Sequence, residues 1–242
     1  MSSLPAVCIL AGGLGTRLGR RTRDTPKALI EVAGEPFLWH QLRLLAGQGV
    51  SEVVLCVGYL GDQIQASVGD GERFGLRIAY SFDSPQLDGT LGAVRGALSL
   101  LPERFLVLYG DTYLPIDYTE ANRAWRDSGL PGLMTVLHNE GRWGASNVLY
   151  TRHRVRAYDK HSPTAAMSWI DYGLGGLTAQ ALRAAPPRER DLAVLYGLLA
   201  RRGELCGVPV TKRFYEIGTP SALRETETYL RGCAIGGDIR GA

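Results

Sequence analysis

The chain has 242 residues, 45% of them hydrophobic, and a net charge of +3. That suits one large α/β domain or two small ones with ample core, and the charge is too small to call for a nucleic-acid partner. The four cysteines (Cys8, Cys56, Cys206, Cys233) and four histidines carry no metal-ligand spacing, which argues against a zinc site and for buried free thiols.

The first residues lack a basic leader, and no stretch reaches the roughly 18 apolar residues of a spanning helix. A soluble, cytoplasmic protein is expected. Short apolar runs at 6–10, 52–58, 77–81 and 104–110 read as buried strands bounded by Gly, Pro or Asp. Helical spacing places Leu38, Leu42 and Leu45 on one face within 36–47, and Leu91, Val94, Leu98 and Leu101 on one face within 90–101. This alternation predicts a mostly parallel sheet covered on both faces. Further on, 132–138, 146–151, 154–160 and 169–177 are strand-like with few long helices between, an antiparallel or mixed extension of the same sheet. A helix is expected over 191–202, and a last one is expected with Thr219 as N-cap and Pro220 at its first position. The glycine-rich tail is expected to fray.

The stretch Ile9–Leu29 leaves a strand and enters a loop with glycines at 12, 13, 15 and 19. In a parallel sheet, ligands sit beyond the carboxyl ends of strands, and glycines let backbone amides approach phosphate. The dinucleotide fingerprint fits poorly, because Gly13 to Gly19 reads GxGxxxG, one residue too long, and the second strand lacks its closing acid. No GxxxxGK[ST] occurs. Arg17 and Lys27, the latter stiffened by Pro26, are two cations beside a cradle of amides, an arrangement suited to a triphosphate. Arg20, Arg21 and Arg23 carry no such constraint and are expected on the surface. Farther on, 106–112 is a buried strand ending in Gly110-Asp111, and a carboxylate at such an edge can hold Mg2+ against phosphate oxygens.

LAGGLGTRL, TPKAL and VAGEPFL together resemble the signature of sugar-1-phosphate nucleotidyltransferases, GGxGTRLxPxT followed by PK and a later Pro, with Arg20 or Arg21 where that pattern often has proline. The later motifs follow in family order to about Leu230, with no long hexapeptide-repeat region of the kind some relatives carry. The resemblance implies a Rossmann-like α/β fold, a mostly parallel mixed sheet flanked by helices. It implies one domain over 1–231, with 1–115 mainly on the nucleotide, 116–231 mainly on the sugar phosphate, and a flexible tail at 232–242. It implies a nucleotide site built from Leu10, Ala11, Gly12, Gly13, Gly15, Thr16, Gly89, Thr90 and Gly110, with Arg17, Lys27 and Lys160 catalytic. Asp111 and Glu216 would bind Mg2+, Glu216 standing where Asp is usual.

Two side chains compete to read the base: Asp83 could accept from guanine, Gln86 could read a pyrimidine. On the sugar side, Gly144 would approach a hydroxyl, Asp159 and Asp171 would accept from hydroxyls, Gly173 lies beside them, and Lys160 would grip the phosphate. The segments DGTLGA, WIDYG and YEIGTP are similar to those of heptose guanylyltransferases, which implies GTP and a manno-configured heptose or hexose 1-phosphate. Uridylyl and thymidylyl transfer, a cytidylyl- or molybdopterin-type relative, and a non-catalytic nucleotide-sugar-binding protein are the other readings. The sequence does not set an oligomeric state; a dimer is one candidate.

Overall fold

A computed structural model describes residues 4–13, 15–83 and 89–236, with backbone alone at 20–21 and 234–236. Its strands in chain order are β1 (Val7–Leu10), β2 (Glu31–Val32), β3 (Glu35–Pro36), β4 (Glu52–Val57), β5 (Arg77–Phe82), β6 (Arg104–Tyr109), β7 (Thr112–Tyr113), β8 (Gly132–His138), β9 (Val148–Thr151), β10 (Arg154–Tyr158), β11 (Trp169–Thr178), β12 (Leu205–Val210) and β13 (Tyr215–Glu216). The α-helices are α1 (Phe37–Gly47), α2 (Gly61–Val68), α3 (Gly89–Gly96), α4 (Tyr118–Ser128), α5 (Ala179–Arg183), α6 (Leu192–Arg201) and α7 (Pro220–Gly236).

One mixed sheet runs β5-β4-β1-β6-β11-β8-β12-β10-β9. Its first four strands are parallel, β11 lies antiparallel between β6 and β8, β12 is parallel to β8, and β10 and β9 form an antiparallel edge. Strand alternation feeds both faces. Val7, Ile9, Leu55, Leu106 and Leu108 pack on one side with Leu38, Leu42 and Leu45 of α1, Ile64 of α2 and Trp125 of α4. Cys8, Val54, Cys56, Phe105 and Val107 pack on the other with Leu91 and Val94 of α3, Leu182 of α5 and Leu192, Leu195 and Leu199 of α6. Each fully buried large aliphatic side chain contributes about 1.5–3 kcal/mol relative to exposure. Among the described residues no helix is long and apolar enough to cross a membrane.

Beside the short pairs β2–β3 and β7–β13 and the one-turn α5, three longer elements were not anticipated. Helix α4 buries only Tyr118, Ala121 and Trp125, so its apolar stripe is thin, and it starts on Asp117, whose side chain accepts from the amides of Thr119 and Glu120. Helix α2 buries only Gly61, Ile64 and Val68. Strand β12 contains Gly207 and Pro209, residues that disfavour a strand by local preference. The proline is tolerated because β8 pairs along its length while β10 meets β12 only at Arg154–Cys206, so no ladder bond is needed on that side of Pro209. The expected helix over 90–101 stops at Gly96 and passes into a 3-10 turn at Leu98–Leu100. The last helix begins as expected, Thr219 Oγ1 accepting from Ala222 N at 3.2 Å. It runs on to Gly236, past the expected start of the tail at 232, and residues 237–242 lie outside the described ones. Cys8, Cys56 and Cys206 are buried free thiols and Cys233 is half-buried.

Candidate active site

The glycine loop opens at the carboxyl end of β1, where Ala11 N donates to Cys56 O at 2.8 Å. A Cβ on Gly12 would lie 2.7 Å from Asp83 Oδ2 and 3.1 Å from Gly58 N, so the backbone there approaches its neighbours as only glycine permits. Gly15 sits at φ +62°, and its carbonyl accepts from Thr22 Oγ1 at 3.0 Å, as does Gly19 O at 3.2 Å. Thr22 is buried and closes the loop; the intervening basic stretch is a kinked 3-10 segment. Arg23 is exposed as expected; the side chains of Arg20 and Arg21 lie outside the described ones. Lys27 opens a one-turn helix behind Pro26 and reaches Asp111, Nζ to Oδ2 at 2.5 Å, with the lysine 12% and the aspartate 30% exposed.

Asp111 follows the adjacent strand β6. Its Oδ1 accepts from Thr112 Oγ1 at 3.1 Å and its carbonyl accepts from Ile217 N at 3.0 Å. That second bond continues the β7–β13 pair, in which Glu216 lies opposite Thr112. Glu216 is held from behind by α7: Thr226, fully buried, donates to its carbonyl at 2.7 Å. Tyr229 of the same helix stacks on Tyr215 with centroids 3.8 Å apart. Burial raises the Glu216 carboxyl above its ordinary value, Asp111 adds to this, and Lys27 and Arg17 oppose it. The two carboxylates therefore feel each other across the strand ends, and Arg17 completes the group. A Cβ on Gly218 would lie 3.4 Å from Glu216 Oε2 and 3.5 Å from Arg17 Nη2.

Arg17, Lys27 and Asp111 line one cavity of about 390 Å³; Glu216 is not among its lining residues and stands behind Gly218, which is. Of the expected nucleotide residues, Leu10, Ala11, Gly12, Gly13, Gly15, Thr16, Asp83, Gly89, Thr90 and Gly110 line it. Gln86 lies outside the described residues. Thr90 also serves the scaffold. Its hydroxyl donates to Asp191 Oδ1 at 3.3 Å and accepts from Leu192 N at 2.9 Å, fastening α3 to the start of α6. Tyr109 and Gly218, not anticipated, line the cavity too.

Lys160 stands beyond Tyr109, its Nζ 5.9 Å from the ring centroid. Asp171 is close by. Its Oδ2 accepts from Tyr158 Oη at 3.1 Å and its Oδ1 from Gly173 N at 3.0 Å, at a bulge in the β11–β8 pairing. Asn147 ties this side together, its Oδ1 accepting from Asp171 N at 3.0 Å and its carbonyl from Asp159 N at 3.0 Å. Asp159 also has a local role. Its Oδ1 accepts from the amides of His161 and Ser162 at 2.9 and 2.8 Å, forming the turn that presents Lys160, since a short carboxylate caps nearby amides more readily than it reaches out. Gly144 lies on the β8–β9 loop, its carbonyl accepting from Asn139 Nδ2 at 2.8 Å.

Burial holds the Asp171 carboxyl above its ordinary value, against the pull of Gly173 N, Tyr158 and Lys160. A carboxyl raised by folding stabilises the fold only while protonated, and that contribution is lost as pH rises through its folded pKa. At neutral pH Asp171→Asn, which keeps acceptor and shape, is therefore expected to raise Tm, each kcal/mol recovered adding about 2–4 °C. Calorimetry checks this: the gain should shrink as pH falls through the raised folded pKa and be gone once pH is below the ordinary carboxyl range.

A family model described as the MobA-like NTP transferase domain matches residues 7–195. The N-acetylmuramate alpha-1-phosphate uridylyltransferase of Neisseria meningitidis serogroup B is 43% identical over 115 residues, 47% of this chain and 49% of its own. The mannose-1-phosphate guanylyltransferase catalytic subunit beta of Drosophila pseudoobscura pseudoobscura is 33% identical over 217 residues, 88% of this chain and 58% of its own. This chain thus spans about half to three fifths of the length of these curated relatives. The crystal structure of HddC from Yersinia pseudotuberculosis complexed with GMP-PN superposes with a TM-score of 0.78 at 25% identity, over 94% of this chain and 100% of that one.

Proposed function

The chain belongs to the MobA-like NTP transferase domain family, and from that premise we propose that it is a sugar-1-phosphate nucleotidyltransferase. It joins an NTP to a sugar 1-phosphate and releases pyrophosphate, with GTP and a manno-configured heptose or hexose 1-phosphate as substrates. The observation that carries this reading is the single cavity in which the glycine loop, Arg17, Lys27 and Asp111 meet. The names of both curated relatives, a uridylyl- and a guanylyltransferase acting on sugar phosphates, support the reaction class over a molybdopterin-type role.

The sugar phosphate is already an anion near neutral pH, so its oxygen attacks the α-phosphorus in line without a general base. Catalysis then rests on alignment and charge. The glycine-loop amides cradle the phosphates. Arg17 faces the departing pyrophosphate, Lys27 lies nearer the α-phosphate, and Lys160 brings in the nucleophile. The two carboxylates Asp111 and Glu216 fit Mg2+, which is held by one or two carboxylates plus substrate phosphates. When bound, it would neutralise charge on the phosphates.

The guanine reading is supported by Asp83, which lines the cavity next to the glycine loop and whose carboxylate can accept from guanine N1–H and N2–H. It is also supported by similarity to HddC, a structure complexed with GMP-PN, and to a mannose-1-phosphate guanylyltransferase. The test is a matrix of four NTPs against several sugar 1-phosphates, reading pyrophosphate. GTP with mannose or heptose 1-phosphate should give the highest rate. A maximum with UTP or dTTP overturns the guanine reading alone; no pyrophosphate from any pair returns the protein to a non-catalytic binding role.

Lys160→Ala should raise KM for the sugar phosphate by about 10- to 100-fold, the scale of one hydrogen bond to a charged group. KM for the nucleotide should hold. An equal loss of nucleotide affinity would remove Lys160 from the sugar-phosphate site.

A further inference from the structure

We propose that Gln41 is a positioning residue for Asp111: one buried amide on α1 holds both ends of the turn that carries the carboxylate. Its bearing on function rests on the reading of Asp111 given above. Gln41 is 2% exposed and sits on the core face of α1, among Leu38, Leu42 and Leu45. A polar side chain there is costly unless its hydrogen bonds are made. Its Nε2 donates to Tyr109 O at 2.9 Å and to Thr112 O at 2.6 Å.

Those two carbonyls flank Gly110 and Asp111, so the amide ties the end of β6 to the start of β7. The amide's orientation follows from its partners: both are acceptors, and the flipped group would set oxygen against oxygen. Gln41 Oε1 is buried and has no partner among the described residues. An unmatched oxygen in the core is a cost that the two donated bonds must offset. Thr112 Oγ1, Lys27 and Ile217 N hold Asp111 from the side of the cavity, and Gln41 holds its turn from the side of the core. It lines no part of the cavity, and so acts through the turn it holds.

The test uses the full chain and Gln41→Met, which keeps length and loses both donors, with Leu42→Met as a packing control on the same helix. Two readouts are taken: Mn2+ affinity, from the paramagnetic resonance signal of free Mn2+, and amide hydrogen exchange over residues 110–113. Gln41→Met is expected to weaken Mn2+ binding by about 10- to 100-fold, the usual effect of losing a group that orients a metal ligand. Exchange should rise at 110–113 and not across the sheet, while Leu42→Met leaves both readouts unchanged. Wild-type Mn2+ affinity together with wild-type exchange at that turn overturns the proposal. Should Gln41→Met fail to fold, Gln41→Asn, an amide one methylene too short to reach both carbonyls, is held to the same two outcomes. If Asp111→Asn binds Mn2+ as the wild type does, the metal reading fails instead, and exchange at 110–113 alone decides whether Gln41 holds the turn.

Discussion

Asp111→Asn is expected to lower turnover by at least about 10²–10³-fold, the scale of removing one preorganised electrostatic group, and added Mg2+ should not restore it. The side chain keeps its size and still accepts from Thr112 Oγ1, and its backbone bond to Ile217 is untouched. The fold should therefore persist. Two things are lost together: a charged oxygen for the metal, and the partner of Lys27, whose 2.5 Å ion pair is mostly shielded from water. The variant should still bind nucleotide through the glycine loop. Steady-state rates across a magnesium titration, with circular dichroism as the fold control, check this. Near-normal activity would take Asp111 out of the metal site.

Arg17→Ala is expected to cost about 10²–10³-fold in kcat, with KM for the sugar phosphate little changed. The guanidinium lies beside Gly218 and Glu216, where negative charge would grow on the leaving pyrophosphate. An interaction made chiefly in the transition state lowers kcat and kcat/KM alike. Arg17→Lys should recover only part of the rate, since an ammonium cannot reproduce the planar fork on two phosphate oxygens. If only KM for the nucleotide rises while kcat holds, Arg17 contributes uniform binding and no specific stabilisation of the leaving group.

Much of the site was legible because its chemistry is local. The glycine loop, Asp111 and the continuous apolar runs of β1, β4 and β6 each announce themselves within a few residues, and the cavity gathers them at the ends of adjacent strands. What escaped depends on contacts between distant positions. Gln41 reads as one polar residue in an amphipathic helix until the fold brings it to Tyr109 and Thr112, 68 and 71 positions away. Asn147 gains its role by bridging the backbone of Asp159 and Asp171, and Thr226 by gripping Glu216. Asp159 and Thr90 carry a second role that no local pattern shows: both were read toward substrate, and both also make hydrogen bonds that build the scaffold, Thr90 while lining the cavity. Helix α4 did carry a local signal, Asp117 three residues before Glu120 and Gly129 just past its end, but its thin apolar stripe hid the period.

Nucleotidyl transfer itself is tested most directly by phosphorus NMR of the protein with GTP, Mg2+ and mannose 1-phosphate or a manno-heptose 1-phosphate. The sugar-phosphate monoester signal is expected to fall as pyrophosphate and the paired diphosphate signals of a GDP-sugar grow in equal amounts. Spectra in which the monoester persists and GTP is unchanged, or is merely hydrolysed to GDP and orthophosphate, would contradict it.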